Sequence, residues 1–536
     1  MEIISSYGVS YEKIIMNKKP NIVIFMMDQL AAKWIEAGIA GAYEMPNFKR
    51  LMSSGTYFSS AITNNPVCMP ARATIATGLS CRAHGVTENG VELDPAIPTF
   101  MQILQQNGYR TGNFGKLHFK THYNGPYHDY KPYGFDEVFE VADLRAGQWL
   151  DWVEEKYPDY YEKALSIVWP MKTSAGMRNY GPGKIDLVSR VQNACRDNPK
   201  EYPIFNGKAV TSVFVSPLKE ELTPTAWITM HGTEFIKQNA NKQPFFAQLS
   251  YVLPHDPFQP PKNYLAKVHP EKILPPVPDS WKNEKDHPGH FDFEGTYQGI
   301  PDFWRVYREY YFACISFLDS QLGKVFDVLE QTGVLENTYI ILLADHGELL
   351  YDHGFVSKHN RHYDACIRVP LIISGPELKS GAIRNEIVQL EDIMPTVLEM
   401  ASCPPPMPKT LPSYRVAEDY PPMLAGNSLI PLCRGQTLPN QREYAYVESF
   451  NYWKNVRPEH WCFTVRNQNY RYTYYPQGGG EQLFDLMIDR DETKNLSGEE
   501  AYRDVKRGLR DVLLEKLIMQ DSPKNQTRHL FYHEHP

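Results

Sequence analysis

Cys68, Pro70 and Arg72 occupy alternate positions in Asn65-Pro-Val-Cys-Met-Pro-Ala-Arg-Ala-Thr-Ile-Ala-Thr-Gly78, a segment able to set a nucleophile at the start of a helix. Pro70 suits a first helical turn, where its missing N–H would be unpaired in any case. A residue at position 68 then faces the positive end of the helix dipole beside the Arg72 guanidinium, where an anionic nucleophile or leaving oxyanion is stabilised. Read alone, the same cysteine is equally a buried small hydrophobe, the common fate of a free thiol.

Two acidic residues stand in a second suggestive pattern. Asn21-Ile-Val-Ile-Phe-Met-Met27 runs into Asp28-Gln29, and Thr338-Tyr-Ile-Ile-Leu-Leu-Ala344 runs into Asp345-His346. Uninterrupted apolar runs of this length read as parallel strands buried on both faces. Ligands of such sheets collect at the carboxyl ends of the strands, so Asp28 and Asp345 can converge there although they are remote in sequence.

The elements that must carry these residues are legible around them. Thr99 to Asn107, closed by Gly108, and an amphipathic stretch from about Tyr307 to Gln331, closed by Gly333, read as helices. Strands alternating with helices predict an α/β domain with a mostly parallel sheet. The proline-rich stretch from Cys403 to Pro422 reads as a connector, and beyond it Tyr444 to Glu448 and Tyr470 to Tyr475 have the short alternating pattern of an antiparallel sheet. The expected division is an N-terminal extension (1–18), a catalytic α/β domain (19–402), a connector (403–425) and a smaller domain with its tail (426–536).

Composition narrows the partners. A formal charge of -8 with acids and bases interleaved offers no footprint for nucleic acid or an anionic membrane. No apolar run is long enough to span a bilayer and no signal-like segment precedes Ile22, so the expected location is cytoplasmic. Eight cysteines without CxxC spacing argue against a disulfide scaffold or structural zinc, leaving most as reduced core residues.

The C-x-P-x-R segment resembles the signature of the sulfatase family, in which that cysteine is converted to formylglycine by a dedicated generating enzyme. The resemblance spans nearly the whole chain. Tyr109-Arg-Thr-Gly-Asn-Phe-Gly-Lys116-Leu-His118 is similar to the family's GYxTxxxGKxH, and Pro254-His255-Asp-Pro-Phe258 to its PHxPF. Asp345-His346-Gly-Glu348 is similar to its second metal-binding turn, followed by Lys358 and Arg368-Val-Pro-Leu371. Leu483-Phe-Asp-Leu486 with Asp489, Glu492 and Asn495-Leu496 is similar to its closing LYDLxxDPxExxNL.

The resemblance implies an alkaline phosphatase-like fold: a large mixed, mostly parallel sheet flanked by helices, with a smaller C-terminal α+β domain bearing an antiparallel sheet. It implies a divalent metal bound by Asp28, Gln29, Asp345, His346 and modified Cys68. Oxygen-rich ligands favour calcium, with manganese or magnesium as alternatives. Many relatives carry aspartate at the position of Gln29 and asparagine at that of His346, which leaves the choice of ion open. The implied reaction is hydrolysis of a small organic sulfate ester. One hydroxyl of hydrated formylglycine attacks sulfur with help from Asp345, and His118 takes a proton from the other. Lys116, Lys358 and Arg72 neutralise the sulfate oxygens, and His255, with Lys358, protonates the leaving alcohol.

Two other readings compete. Phosphonate monoester or phosphodiester hydrolases of the same superfamily often have Asp-Gln at the position of Asp28-Gln29, but tend to carry tyrosine and threonine where this chain has Lys116 and His118. A binding protein that keeps the fold without catalysis would have lost a site residue, and none is missing. The substrate stays open among choline, aryl and sugar sulfates. The aromatic and acidic stretch from His122 to Tyr161 either stacks on a ring or cages a quaternary ammonium, or packs an insertion onto the main domain. The tail from Leu513 to Pro536, ending in Arg528-His-Leu-Phe-Tyr-His-Glu-His-Pro536, is too aromatic to stay in water and is expected to dock, across a homo-oligomer interface or on its own subunit.

Overall fold

Ile22–Met27 and Ile340–Ala344 carry no polar side chain, so both faces must be covered, and in the computed structural model Asn21–Met27 and Thr338–Ala344 are the two central strands of an eight-stranded sheet. The structure describes residues 19–520 apart from 123–124, 169–186, 206, 211–212, 284–287, 289–290, 292–302, 359, 407–424 and 451–457. The extension 1–18, most of the connector and the tail from residue 521 thus lie outside the described residues.

In chain order the strands of the large sheet are β1 (Asn21–Met27), β2 (Gly55–Phe58), β3 (Arg110–Gly115), β4 (Glu137–Phe139), β5 (Phe245–Tyr251), β6 (Thr338–Ala344), β7 (Leu371–Ser374) and β8 (Ala382–Arg384). They lie side by side as β8-β2-β7-β6-β1-β5-β3-β4. Only β7 runs against its neighbours β6 and β2; the other pairs are parallel, giving the mixed, mostly parallel sheet expected. Register decides what gathers at the carboxyl edge. Met27 lies opposite both Ala344 and Tyr251, and Ser250 lies opposite Gly115. The residues that follow these positions therefore emerge along one edge: Asp28, Asp345, the loop carrying His255, and Lys116.

Four helices bear on this edge or cover the sheet: α1 (Cys68–Thr77), α2 (Phe100–Gln106), α3 (Pro224–Asn239) and α4 (Phe303–Gln331). α2 opens with a reciprocal capping box between Thr99 and Gln102, which satisfies two backbone donors at once. α4 begins four residues before the expected Tyr307 and is buried around most of its circumference, making it a core helix rather than a one-faced surface helix. The aromatic stretch after His122 is largely packing: Tyr130, Tyr133 and Trp149 are fully buried, whereas Tyr127 and Tyr157 remain exposed.

Beyond the connector, β9 (Ala445–Ser449), β10 (Cys462–Arg466), β11 (Tyr470–Tyr475) and β12 (Gly480–Asp485) form an antiparallel meander. One face is covered by α5 (Arg503–Gln520), whose Leu509 and Leu513 pack with Tyr446, Val465, Tyr472 and Leu483. A three-stranded sheet of Ala61–Ile62, Arg368–Val369 and Val388–Gln389 has no counterpart in the sequence reading, because two-residue strands carry no readable period. Among the described residues no helix is long and apolar enough to cross a membrane.

Candidate active site

Cys68 is the first residue of α1 and Arg72 lies one turn later on the same face, so a single helix end delivers both side chains to the carboxyl edge of the sheet. Pro70 falls in the first turn, and Gly78 closes the helix in the left-handed region with φ 64°. The Met69 amide is met by Asn89 Oδ1 at 2.9 Å.

Around Cys68 Sγ lie His346 Nε2 at 3.2 Å, Lys358 Nζ at 3.0 Å and Asp28 Oδ1 at 3.9 Å. His346 Nε2 is also 3.6 Å from a carboxylate oxygen of each of Asp28 and Asp345. Ligand-capable atoms of Asp28, Cys68, Asp345 and His346 all lie within 4.8 Å of one another, and all four residues are buried. The His346 tautomer follows from its neighbours. Nδ1 faces the Gly347 carbonyl at 3.1 Å and must donate to it, which leaves the lone pair on Nε2, aimed into the cluster.

Arg72 binds the two strand-end aspartates together. Nε donates to Asp345 Oδ2 at 2.8 Å and Nη2 to Asp28 Oδ2 at 3.3 Å, while Nη1 donates to the Lys116 carbonyl at 2.6 Å and to Ser250 Oγ at 2.9 Å. With these protein acceptors in place its guanidinium is turned to the aspartates, where the family resemblance implies a direct contact to sulfate. Lys116 donates to Asp28 and to Asp143, and Lys358 to His346 Nε2 as well as to Cys68.

The histidines complete the ring. His118, held at φ 59°, pairs its Nε2 with His122 Nδ1 at 3.3 Å. His255 donates from Nδ1 to the Asp256 carbonyl at 3.0 Å. Both His118 and His255 also interact with the Cys68 thiol. Burial and the Lys358 ammonium act against charge on His255, but Asp256, Asp28 and the thiol outweigh them and push its pKa up to about 9. The ten residues singled out by the sequence therefore meet in one buried place.

The electrostatics set Cys68 apart from the other thiols. Burial pushes Cys81, Cys314, Cys366, Cys403, Cys433 and Cys462 up. At Cys68 burial acts in the same direction, but the Lys116 and Lys358 ammonium groups overcome it and hold the thiol well below its usual range. The site is thus organised around negative charge at position 68.

The donor set fits a divalent cation. Two aspartates and an imidazole lone pair gather beside Cys68, and Oε1 of Gln29, the residue after Asp28, is buried with no hydrogen-bond partner. Sequence reasoning missed Asp143, His122 and Ser250, and quoted Glu348 without giving it a role. Burial raises the Asp143 carboxyl, but Lys116, His255 and His118 hold it well below the usual range. The four-residue spacing from His118 to His122 was a usable signal; nothing local marked Asp143, which the fold alone brings to Lys116.

Comparison with known proteins agrees with this geometry. The chain is 27% identical to an arylsulfatase of Clostridium perfringens, over 93% of this chain and 94% of that one. It is 28% identical to a choline-sulfatase of Rhizobium meliloti, over 89% and 82%. Its fold matches a phosphonate monoester hydrolase from Silicibacter pomeroyi with a TM-score of 0.72 at 21% identity, covering 94% of this chain and 96% of that one. Residues 351–520 match the family model described as N-sulphoglucosamine sulphohydrolase, C-terminal. The sulfatase family model matches residues 20–403, the larger part of the sequence and every strand of the main sheet, and the chain therefore belongs to the sulfatase family.

Proposed function

We propose that the chain hydrolyses small organic sulfate monoesters to an alcohol and inorganic sulfate, with a formylglycine made from Cys68 as nucleophile. What chiefly supports this reading is the convergence on Cys68 Sγ of His346, Lys358 and Asp28. That sulfur marks where an oxygen of residue 68 stands after oxidation by a formylglycine-generating enzyme. The converted residue supplies a hydrated aldehyde, with one hydroxyl for attack at sulfur and a second whose deprotonation releases sulfate.

Asp28, Gln29, Asp345, His346 and residue 68 would hold a divalent metal, with calcium favoured by the oxygen donors and manganese by the imidazole. When bound, the ion polarises sulfate oxygens and acidifies the attacking hydroxyl. The chain's own groups do the rest. Arg72 holds the Asp28 and Asp345 carboxylates in place. Lys116 and Lys358 offset charge on the sulfate oxygens. His118 accepts the proton from the second hydroxyl, and His255, whose protonated form the Asp256 carboxylate favours, donates to the departing alcohol oxygen.

The phosphonate monoester hydrolase likeness in fold supports a second reading, cleavage of phosphonate monoesters at the same site. Lys116 and His118 favour sulfate, because both place cationic or proton-accepting groups at residue 68. Metal analysis of purified enzyme identifies the ion. Assay of a fully converted preparation against aryl, choline and sugar sulfates and a phosphonate monoester tests the reaction. Sulfate release is expected from at least one class; turnover of the phosphonate alone would overturn the sulfatase reading.

A further inference from the structure

Gln29 is held more tightly than a strand-end side chain requires. Its backbone sits in the left-handed region, φ 63°, which few non-glycine residues adopt. Its N–H donates to Asp345 Oδ1 at 3.1 Å and its carbonyl accepts from the Tyr311 hydroxyl at 2.6 Å. The side-chain nitrogen donates to Glu348 Oε2 at 2.6 Å and to Asp256 Oδ1 at 3.4 Å. Ionised carboxylates only accept, so these two partners decide which end of the amide is nitrogen. The other end, Oε1, is buried without a partner. An unpaired buried acceptor is destabilising unless something takes its lone pairs.

We propose that Glu348 is a positioning residue that orients the Gln29 amide so that its oxygen, not its nitrogen, serves the cation site; this rests on the metal reading above.

Glu348 is itself clamped. It is fully buried, and its Oε1 accepts from the backbone N–H of Leu350 at 2.9 Å and of Ser357 at 2.6 Å. One carboxylate oxygen thus anchors the loop and the other anchors Gln29. A glutamine at 348 could not do both. With a single acceptor oxygen it would serve the two backbone N–H groups and turn its NH2 toward the NH2 of Gln29. The Gln29 amide would then have to rotate and present hydrogens to the cation. Outer groups that orient metal ligands typically change affinity by about 10- to 100-fold when altered.

The test is calorimetric titration of Ca2+ and Mn2+ into the chelated full-length chain, which reads binding without turnover. Wild type, Asp345→Asn, Glu348→Gln and the double variant Gln29→Glu/Glu348→Gln are compared. Glu348→Gln should weaken binding by about 10- to 100-fold. The double variant should recover at least about tenfold of that loss, because a carboxylate at position 29 can accept from the amide at 348 and still turn an oxygen inward. Affinity unchanged in Glu348→Gln overturns the proposal. So does a loss that the double variant fails to recover, which would make Glu348 a prop for its loop alone. If Glu348→Gln does not fold, recovery of fold and affinity in the double variant supports the pairing and its absence overturns it. Wild type that takes up neither ion, or Asp345→Asn that binds as tightly, would bring down the metal reading itself.

Discussion

Arg72 Nε donates to Asp345 Oδ2 at 2.8 Å inside a site where both residues are almost wholly removed from water. The same guanidinium reaches Asp28, so one cation holds two carboxylates that face each other from adjacent strands. Taking away one partner of a buried ion pair costs about 3–5 kcal/mol, since the remaining charge stays buried. Arg72→Met should lose about that much in the chelated enzyme and clearly less when saturated with metal, because a bound cation offsets the same carboxylates. Urea midpoints with and without Ca2+ measure the difference. Equal losses in both conditions would mean that Arg72 and the ion do not share these aspartates.

Position 68 should carry formylglycine in active enzyme. Conversion makes the peptide containing Cys68 lighter by roughly 18 Da, which mass spectrometry resolves directly. The extent of conversion should scale with specific activity. Cys81→Ala, at a thiol pushed up by burial and away from the metal cluster, should leave the conversion and the chemistry intact. A fully active preparation showing only cysteine at 68 rules the nucleophile out.

Lys116 and His118 should set the preference between sulfate and phosphonate. Replacing them by tyrosine and threonine together should lower kcat/KM for the best sulfate ester more than for a phosphonate monoester, since both substrates need the same nucleophile. The informative quantity is the ratio of the two. A ratio that does not move would place the preference elsewhere in the pocket.

Acid sensitivity should arise partly at His84, which is not part of the metal cluster. Its Nδ1 accepts from the Val86 N–H at 3.1 Å, its Nε2 faces Thr74 Oγ1 at 3.0 Å, and burial lowers its pKa to about 3. The unfolded chain, with a histidine pKa near 6.5, binds the proton more readily than the fold does. This contribution is therefore complete above about pH 6.5 and declines toward pH 3, by about 1.4 kcal/mol per pH unit. His84→Asn keeps an acceptor for Val86 but cannot titrate. Between pH 7.5 and 5.5 its urea midpoint should fall less than that of the wild type; parallel falls would assign the sensitivity to other groups.

The sequence by itself determined the pieces of this protein. Hydrophobic runs at Asn21–Met27 and Thr338–Ala344 announced central strands because burial on both faces admits no polar interruption, and Cys68-x-Pro-x-Arg72 announced a helix start because proline fits only there without losing a bond. Tyr470–Tyr475 was legible from period-two alternation. The candidate ligands and bases were named from motifs local in the chain.

Only the tertiary structure decided how those pieces address one another. Parallel register sets Met27 against Ala344 and so brings Asp28 to Asp345, a relation that no local pattern encodes. It turned Arg72 onto the aspartates, gave Lys116 the partner Asp143, and set Glu348 against the Gln29 amide. Each depends on direction and distance between strands remote in sequence. Strand periodicity records which side chains are buried; it holds no information on which buried polar groups will find each other, and hydrogen-bond geometry settles that only after the sheet has closed.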